Sequence, residues 1–300
     1  MDSPDTFTSH GVEFSRDAGK FGWLTESSDI RDDGDALRAR MTQDGYLFIR
    51  DYLSKDVVTD ARREILERLA SVDEIDTSSH PLMDAVAAGT STRGQLPDTR
   101  AFGKDLRNGP ALTRLVHEGD VISFYETFLG GAVRPFDHIW LRNVRVGGAT
   151  GCHYDVVYMG RGTHNLYTSW IPIGDVPYSD GALMVLENSH THQDLREGYG
   201  AVDVDSGKPN PWGGGWFSRN PVEVQDQFGG RWLTADDGGF RLGDLLVFGM
   251  FTMHCSLDNV SPVNRIRITS DTRYQLASEP ADERWVGDDP IGHDINKRPA

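Results

Sequence analysis

The sequence predicts a β-sandwich or barrel flanked by helices. Three observations carry this expectation. Apolar residues recur at helical spacing through much of the first 130 residues. From Val133 onward the texture changes to short runs of β-branched and aromatic residues punctuated by Gly, Pro, Asn and Asp. A chain of 300 residues with 38% hydrophobic and 25% charged content is long enough to enclose a sizeable core. Many short strands after a helical block fit sheets covered by helices.

Taken in order, residues 1–34 are polar and turn-rich and read as an arm lying on the body. Asp35 to Met41 suits a short helix, with Leu37 and Met41 one turn apart, and Tyr46-Leu-Phe-Ile-Arg suits a strand. Ser54 is placed to cap a helix running to Ala70, in which Val57, Val58, Ala61, Ile65, Leu66 and Leu69 share a face. Residues 78–104 look irregular, and a second helical region spans 110–129 with a break near Gly119. Strands are expected at 134–143, 151–159, 165–173, 182–187, 244–250, 251–257 and 265–274. The Gly-, Pro- and Trp-rich stretch at about 193–240 reads as an insertion or lid. No linker divides the chain, so the expectation is a single domain: arm 1–34, helical support 35–130, β-rich core 131–275 and tail 276–300.

Thirty Lys and Arg against 46 Asp and Glu leave a net charge of −16, which repels phosphate backbones and anionic lipid. Nucleic acid and membrane surfaces are therefore not expected partners, and a small-molecule substrate is. Two cysteines make no disulfide framework, and no secretory signal pattern opens the sequence, so a cytoplasmic setting is expected. Oligomeric state is not readable from these features.

Chemistry concentrates in the histidines. His153 and Asp155 are two apart on an expected strand, so both would face one side and could grip one ion. A facial triad of two histidines and one carboxylate needs such a pair plus a distant third ligand. Ten histidines and 46 acids produce about 1.5 His-x-acid matches by chance, and a second does occur at His192-Gln-Asp194. Context favours the first. After the apolar run Leu245-Leu-Val-Phe comes His254, with Ser256 on the same expected face, and then a Pro/Asn-rich turn leading to Arg265-Ile-Arg267. An arginine on the strand beside a metal-binding histidine is placed to take a carboxylate as a bidentate pair.

This pattern, His153-x-Asp155, a distal His254 and Arg265 eleven residues later, resembles the phytanoyl-CoA dioxygenase family of Fe(II)/2-oxoglutarate oxygenases. Trp170 within Thr168-Ser-Trp-Ile-Pro-Ile, Ser256, and Trp140 match positions near the co-substrate in that family. The segment Gly181-Ala-Leu-Met-Val-Leu-Glu-Asn-Ser-His is similar to its Asn-Gly-x-Leu-x-x-x-Pro-Gly-Ser-His motif, with Asn188 in place of the usual glycine. The likeness spans about residues 40–275. It implies a double-stranded β-helix, the jelly-roll core shared with cupins. It further implies iron on His153, Asp155 and His254, with 2-oxoglutarate and O2 as co-substrates and Arg265, Ser256, Trp170 and Trp140 around the 2-oxoglutarate. The implied activity is hydroxylation, or a further oxidation, of a C–H bond of a small organic metabolite with release of succinate and CO2, in natural-product metabolism. Asp155 stands where related halogenases carry a small residue that admits chloride, which favours hydroxylation. Candidate substrate contacts are Tyr158, Met159, Arg161, Trp216 and Arg267. Cys152 and Cys255 adjoin ligand histidines, but strand parity turns them to the opposite face as packing residues. Two alternatives stay open at this point: a cupin-like metalloenzyme that makes no use of 2-oxoglutarate, and a non-catalytic barrel that binds or senses.

Overall fold

The computed structural model describes residues 6–293. A six-stranded sheet runs through its centre in the order Tyr46–Ile49, Leu245–Gly249, Tyr167–Pro172, Arg267–Leu276 and Val133–Pro135, with Leu141–Val144 also paired to Arg267–Leu276. Every pairing in it is antiparallel. A second sheet orders His254–Ser256, Leu183–Leu186, Trp232–Thr234 and Phe21–Trp23, the last pair parallel.

Alternation along the strands explains how the layers stack. Leu47, Ile49, Leu245, Val247, Ile171 and Ile268 lie on one face of the large sheet and pack against the helices. Tyr46, Phe48, Leu246, Phe248 and Trp170 lie on the other and pack against the second sheet. Both faces are buried, and Tyr46–Ile49 and Leu245–Gly249 accordingly read as nearly continuous apolar runs. The result is a β-sheet core with helices on one side.

The expected helices form at Gly34–Asp44, Lys55–Ala70, Pro110–His117 and Gly119–Leu129. Asp33 caps the first by accepting from Ala36 N–H, and Gly45 ends it in the left-handed conformation at φ 77°. In the second, Val58, Ala61, Ile65, Leu66 and Leu69 are buried against the large sheet's helical face. Ser54 occupies its N-cap position without a side-chain capping bond.

Several expectations are corrected. A helix, Thr99–Arg107, begins in the stretch read as irregular and runs past its end; Asp98 caps it, and only Leu106 on it is buried. From residue 6 on, the stretch read as an arm forms the two-stranded hairpin Thr6–Ser9/Val12–Ser15 and the edge strand Phe21–Trp23, which completes the second sheet; residues 1–5 lie outside the described residues. The insertion contributes the helix Pro221–Phe228 and the strand Trp232–Thr234. The strand expected at 151–159 is instead a pair of isolated bridges at Cys152 and His153 followed by the short helix Val156–Met159. The stretch after 276 is no loose tail as far as 293, because Trp285 is buried in the core. No helix among the described residues is long and apolar enough to cross a membrane.

Candidate metal centre

His153 and His254 face each other across a two-bond bridge. His153 N–H donates to His254 C=O at 3.0 Å, and His254 N–H returns the bond at 3.1 Å. A directly opposed antiparallel pair sends both side chains to one face. Their ring centroids lie 4.1 Å apart. Asp155 follows two residues on, but the chain has already turned: at φ −70°, ψ −28° it sits at the N-cap of Val156–Met159. From there its Oδ1 lies 3.7 Å from His153 Nε2 and 3.9 Å from His254 Nε2. One ligand atom from each residue falls within 4.8 Å of the others, and all three side chains are buried.

Hydrogen bonds fix which atoms face the centre. His153 Nδ1 meets Gly151 C=O at 2.8 Å and His254 Nδ1 meets Thr252 C=O at 3.0 Å. A carbonyl only accepts, so each Nδ1 carries the proton and each Nε2 presents a lone pair inward. Burial, reinforced by the His254 ring, pushes the His153 pKa down to about 3, and burial lowers His254 as well. Both imidazoles are therefore neutral, as a ligand must be. Burial disfavours the charged form of Asp155, yet the Arg273 guanidinium, helped by the Thr168 hydrogen bond, outweighs it and holds the carboxyl well below the usual range. Oδ2 accepts from Thr168 Oγ1 and, at 2.9 Å, from Arg273 Nη2. Oδ1 is buried with no hydrogen-bond partner. An ionised oxygen left bare between two inward lone pairs is a donor set for a cation. The residues fit iron.

The cavity beside this cluster is lined by Arg142, Thr150, Thr168, Trp170, Leu183, Phe248, Arg267, Asp271 and Arg273. Trp170 is where the sequence places it. Arg265 is not. Its Nη1 pairs with Asp180 Oδ2 at 2.9 Å and its Nε donates to Asp84 C=O at 3.3 Å, so it lines a different cavity, together with Arg62 and Phe240. The reason is local. Arg265 bridges Val86 before the strand begins, whereas regular pairing starts at Arg267 opposite Val144 and sends Arg267, Asp271 and Arg273 to the metal side. Arg267 is buried, donates through Nη1 to Gly181 C=O, and has an Nε without a partner. Burial lowers its pKa to about 10, which still leaves it protonated at neutral pH.

The other expected residues are spread more widely. Ser256 Oγ accepts from Thr150 N–H at 2.9 Å and donates to Leu257 C=O at 3.1 Å, so it orients the cavity wall from behind. Trp140 lies under the Arg273 guanidinium, 4.2 Å from the ring centroid, and does not line the cavity. Tyr158 presents its ring to His153 at 5.6 Å and donates from its hydroxyl to Gly214 C=O at 3.3 Å. Trp216 covers Gly151, where an added Cβ would come within 2.6 Å of the indole. Met159 is buried in the core, and Arg161 is held by Asp203 at 2.8 Å, outside the cavity. Cys152 and Cys255 are buried packing residues, the Cys255 thiol pushed up by burial and by its Cys152 neighbour. Sequence reasoning assigns no place at the site to Arg142, Thr150, Thr168, Asp271 and Arg273, although extending the alternation from Arg267 reaches the last two.

Comparison with known sequences decides the family. The sequence model of the phytanoyl-CoA dioxygenase family matches residues 41–267. The chain belongs to the phytanoyl-CoA dioxygenase family. A similar curated family relative is the 1-deoxypentalenic acid 11-beta-hydroxylase of Streptomyces exfoliatus, 24% identical over 273 residues that cover 83% of each chain. Among solved structures, the non-heme alpha-ketoglutarate-dependent carbocyclase SnoK of nogalamycin biosynthesis superposes with a TM-score of 0.53 at 17% identity, covering 92% of this chain and 95% of its own. EctD from S. alaskensis, crystallised with 2-oxoglutarate and 5-hydroxyectoine, gives 0.53 at 17%, covering 96% and 92%. The epimerase SnoN gives 0.52 at 17%, covering 85% and 91%. These structural likenesses speak to the fold. Phytanoyl-CoA dioxygenase membership and the His153–Asp155–His254 cluster together put the chain among the iron- and 2-oxoglutarate-dependent oxygenases. In the family's Ser-His segment, Asn188 takes the left-handed conformation at φ 60°, which suits a position where glycine is usual.

Proposed function

We propose that this protein is an Fe(II)- and 2-oxoglutarate-dependent dioxygenase that hydroxylates a C–H bond of a small organic metabolite from within a jelly-roll core. The observation that carries the reading is the bare Oδ1 of Asp155 between His153 and His254. These three residues would hold the iron. When bound, the iron supplies O2 activation coupled to decarboxylation of 2-oxoglutarate to succinate and CO2, with oxidation of the substrate C–H bond.

The chain's own side chains do the rest. Arg267, the buried cavity arginine without a carboxylate partner among the described residues, takes the distal carboxylate of 2-oxoglutarate. Trp170, Leu183 and Phe248 give that co-substrate an apolar wall. Asp155 occupies the carboxylate position of the triad, which leaves no room for a halide ligand and favours hydroxylation over halogenation. Tyr158 packs beside His153 and donates to Gly214 C=O, and Trp216 covers Gly151, so the Gly214–Trp216 stretch braces the segment that carries His153. The curated relative is named for hydroxylating 1-deoxypentalenic acid; a small amphipathic metabolite suits the net charge of −16 better than a CoA thioester with its phosphates.

The test is succinate formation from 2-oxoglutarate by the Fe(II)-loaded protein, followed by a mass-spectrometric screen of metabolites for addition of about 16 Da. Succinate that depends on iron and is lost in Arg267→Ala supports the reading. Turnover that ignores 2-oxoglutarate, or is indifferent to Arg267→Ala, overturns it.

A further inference from the structure

We propose that Arg273 is a positioning residue for the metal centre, holding the Asp155 carboxylate so that Oδ1 alone faces the two imidazoles, and that Trp140 braces it. This rests on the metal reading given above.

Three arginines face one small cavity, and each has a different partner. Arg142 Nε pairs with Asp271 Oδ2 at 2.7 Å. Among the described residues, the hydrogen-bond partner of Arg267 is the Gly181 carbonyl. Arg273 alone reaches a metal ligand, its Nη2 lying 2.9 Å from Asp155 Oδ2. Thr168 donates to the same oxygen. Two donors on Oδ2 fix the carboxylate's rotation, because any turn that brought Oδ2 toward the histidines would break both bonds. The bare Oδ1 is the other side of that arrangement.

The guanidinium is itself pinned. It is buried, donates through Nη1 to the Asp271 carbonyl, and lies 4.2 Å from the Trp140 ring centroid. Trp140 is held in turn by Trp285 at 4.7 Å and His138 at 4.5 Å, and its carbonyl accepts from Asp271 N–H at 3.0 Å. A planar fork stacked on one face and bonded at two ends is a rigid donor, which an ammonium could not reproduce in full. Outer partners of metal ligands commonly set ligand orientation and affinity. Here the partner is a cation, which repels the metal it helps to seat, so orientation is its net contribution.

The probe is Mn(II) added to the metal-free full-length protein, with binding measured by calorimetry and the bound ion's symmetry by electron paramagnetic resonance. Arg273→Met, neutral and of similar length, is expected to weaken Mn(II) binding about 10- to 100-fold and broaden the signal. Arg273→Lys is expected to recover part of the loss. Trp140→Leu, which leaves the arginine in place without its brace, is expected to fall between them while its affinity for 2-oxoglutarate in the Mn(II) complex stays within about threefold of wild type. Failure of the wild-type protein to bind Mn(II) would sink the metal reading itself. A wild-type protein that binds, beside an Arg273→Met variant that binds as tightly or more tightly, overturns this proposal alone. Should Arg273→Met not fold, unchanged Mn(II) affinity and spectrum in Trp140→Leu overturn it equally.

Discussion

Two segments of this chain carry the same three-residue pattern, His153-Tyr-Asp155 and His192-Gln-Asp194, and they end in opposite circumstances. The first is buried, bridged to a third ligand, and has a carboxylate gripped on one oxygen only. In the second, His192 is the N-cap of the helix Gln193–Glu197 and its ring faces Phe228 at 5.7 Å, while Asp194 is exposed in the first turn. An acidic residue there suits the positive end of a helix and asks for no metal. The difference lies outside the motif. Gly151 and Thr252 carbonyls set the tautomers at the first site, and Thr168 and Arg273 aim the acid. A His-x-Asp becomes a metal site when the surrounding strands supply those partners.

The sharpest way to break this comparison is Asp155→Ala. Removing one of three ligands is expected to lower Mn(II) affinity by more than about 100-fold, beyond what loss of an outer partner costs, and to abolish succinate formation. The next contrast separates the two arginines. Arg267→Ala is expected to weaken 2-oxoglutarate binding by about 2 kcal/mol or more, the usual loss when one member of a buried charge pair is truncated. Arg265→Ala should leave that affinity within about 0.5 kcal/mol, because its partner is Asp180. Titration of 2-oxoglutarate into the Mn(II) protein reads both.

Gly151→Ala should cost about 1–3 kcal/mol in denaturant unfolding, since the new methyl group would strike the Trp216 indole. Acid offers a gentler probe. Below the ordinary histidine value of 6.5 the unfolded chain protonates its histidines, whereas folded His153 resists until about pH 3. The unfolded state thus binds more protons across that window, so stability of the metal-free protein falls as pH falls through it. His153→Gln should flatten the slope. His192→Ala, the smallest change of the series, should leave metal binding unaltered and stability within about 0.5 kcal/mol.

How much of this was legible differs by element. The helix Lys55–Ala70 and the break between Pro110–His117 and Gly119–Leu129 follow directly from apolar spacing and from Gly119. Thr99–Arg107 buries only Leu106, so it has no stripe to read. Pro221–Phe228 did carry a start signal, Asn220 followed by a proline at the first position, masked by the glycine-rich stretch before it. The triad was legible as a spacing, although its geometry arises from a bridge and a turn instead of a strand. Arg265 and Arg267 share the same parity, and only the point at which strand pairing begins tells them apart. Arg273 acts on a residue 118 positions away, a relation that no local pattern encodes.

The hairpin near the N-terminus has a further consequence, for the order of assembly during synthesis. Ser9 Oγ donates to the Ser256 carbonyl, the backbone of His10 and Gly11 caps the Asp258 carboxylate, and Phe21–Trp23 pairs with Trp232–Thr234. These segments must therefore wait for partners made more than two hundred residues later. Closing such a long loop is slow, and it leaves strand edges open in the meantime. The sheet that bears His254 is finished only when His254–Ser256 has emerged, so a chain that stops short of it carries exposed edges and no complete iron site.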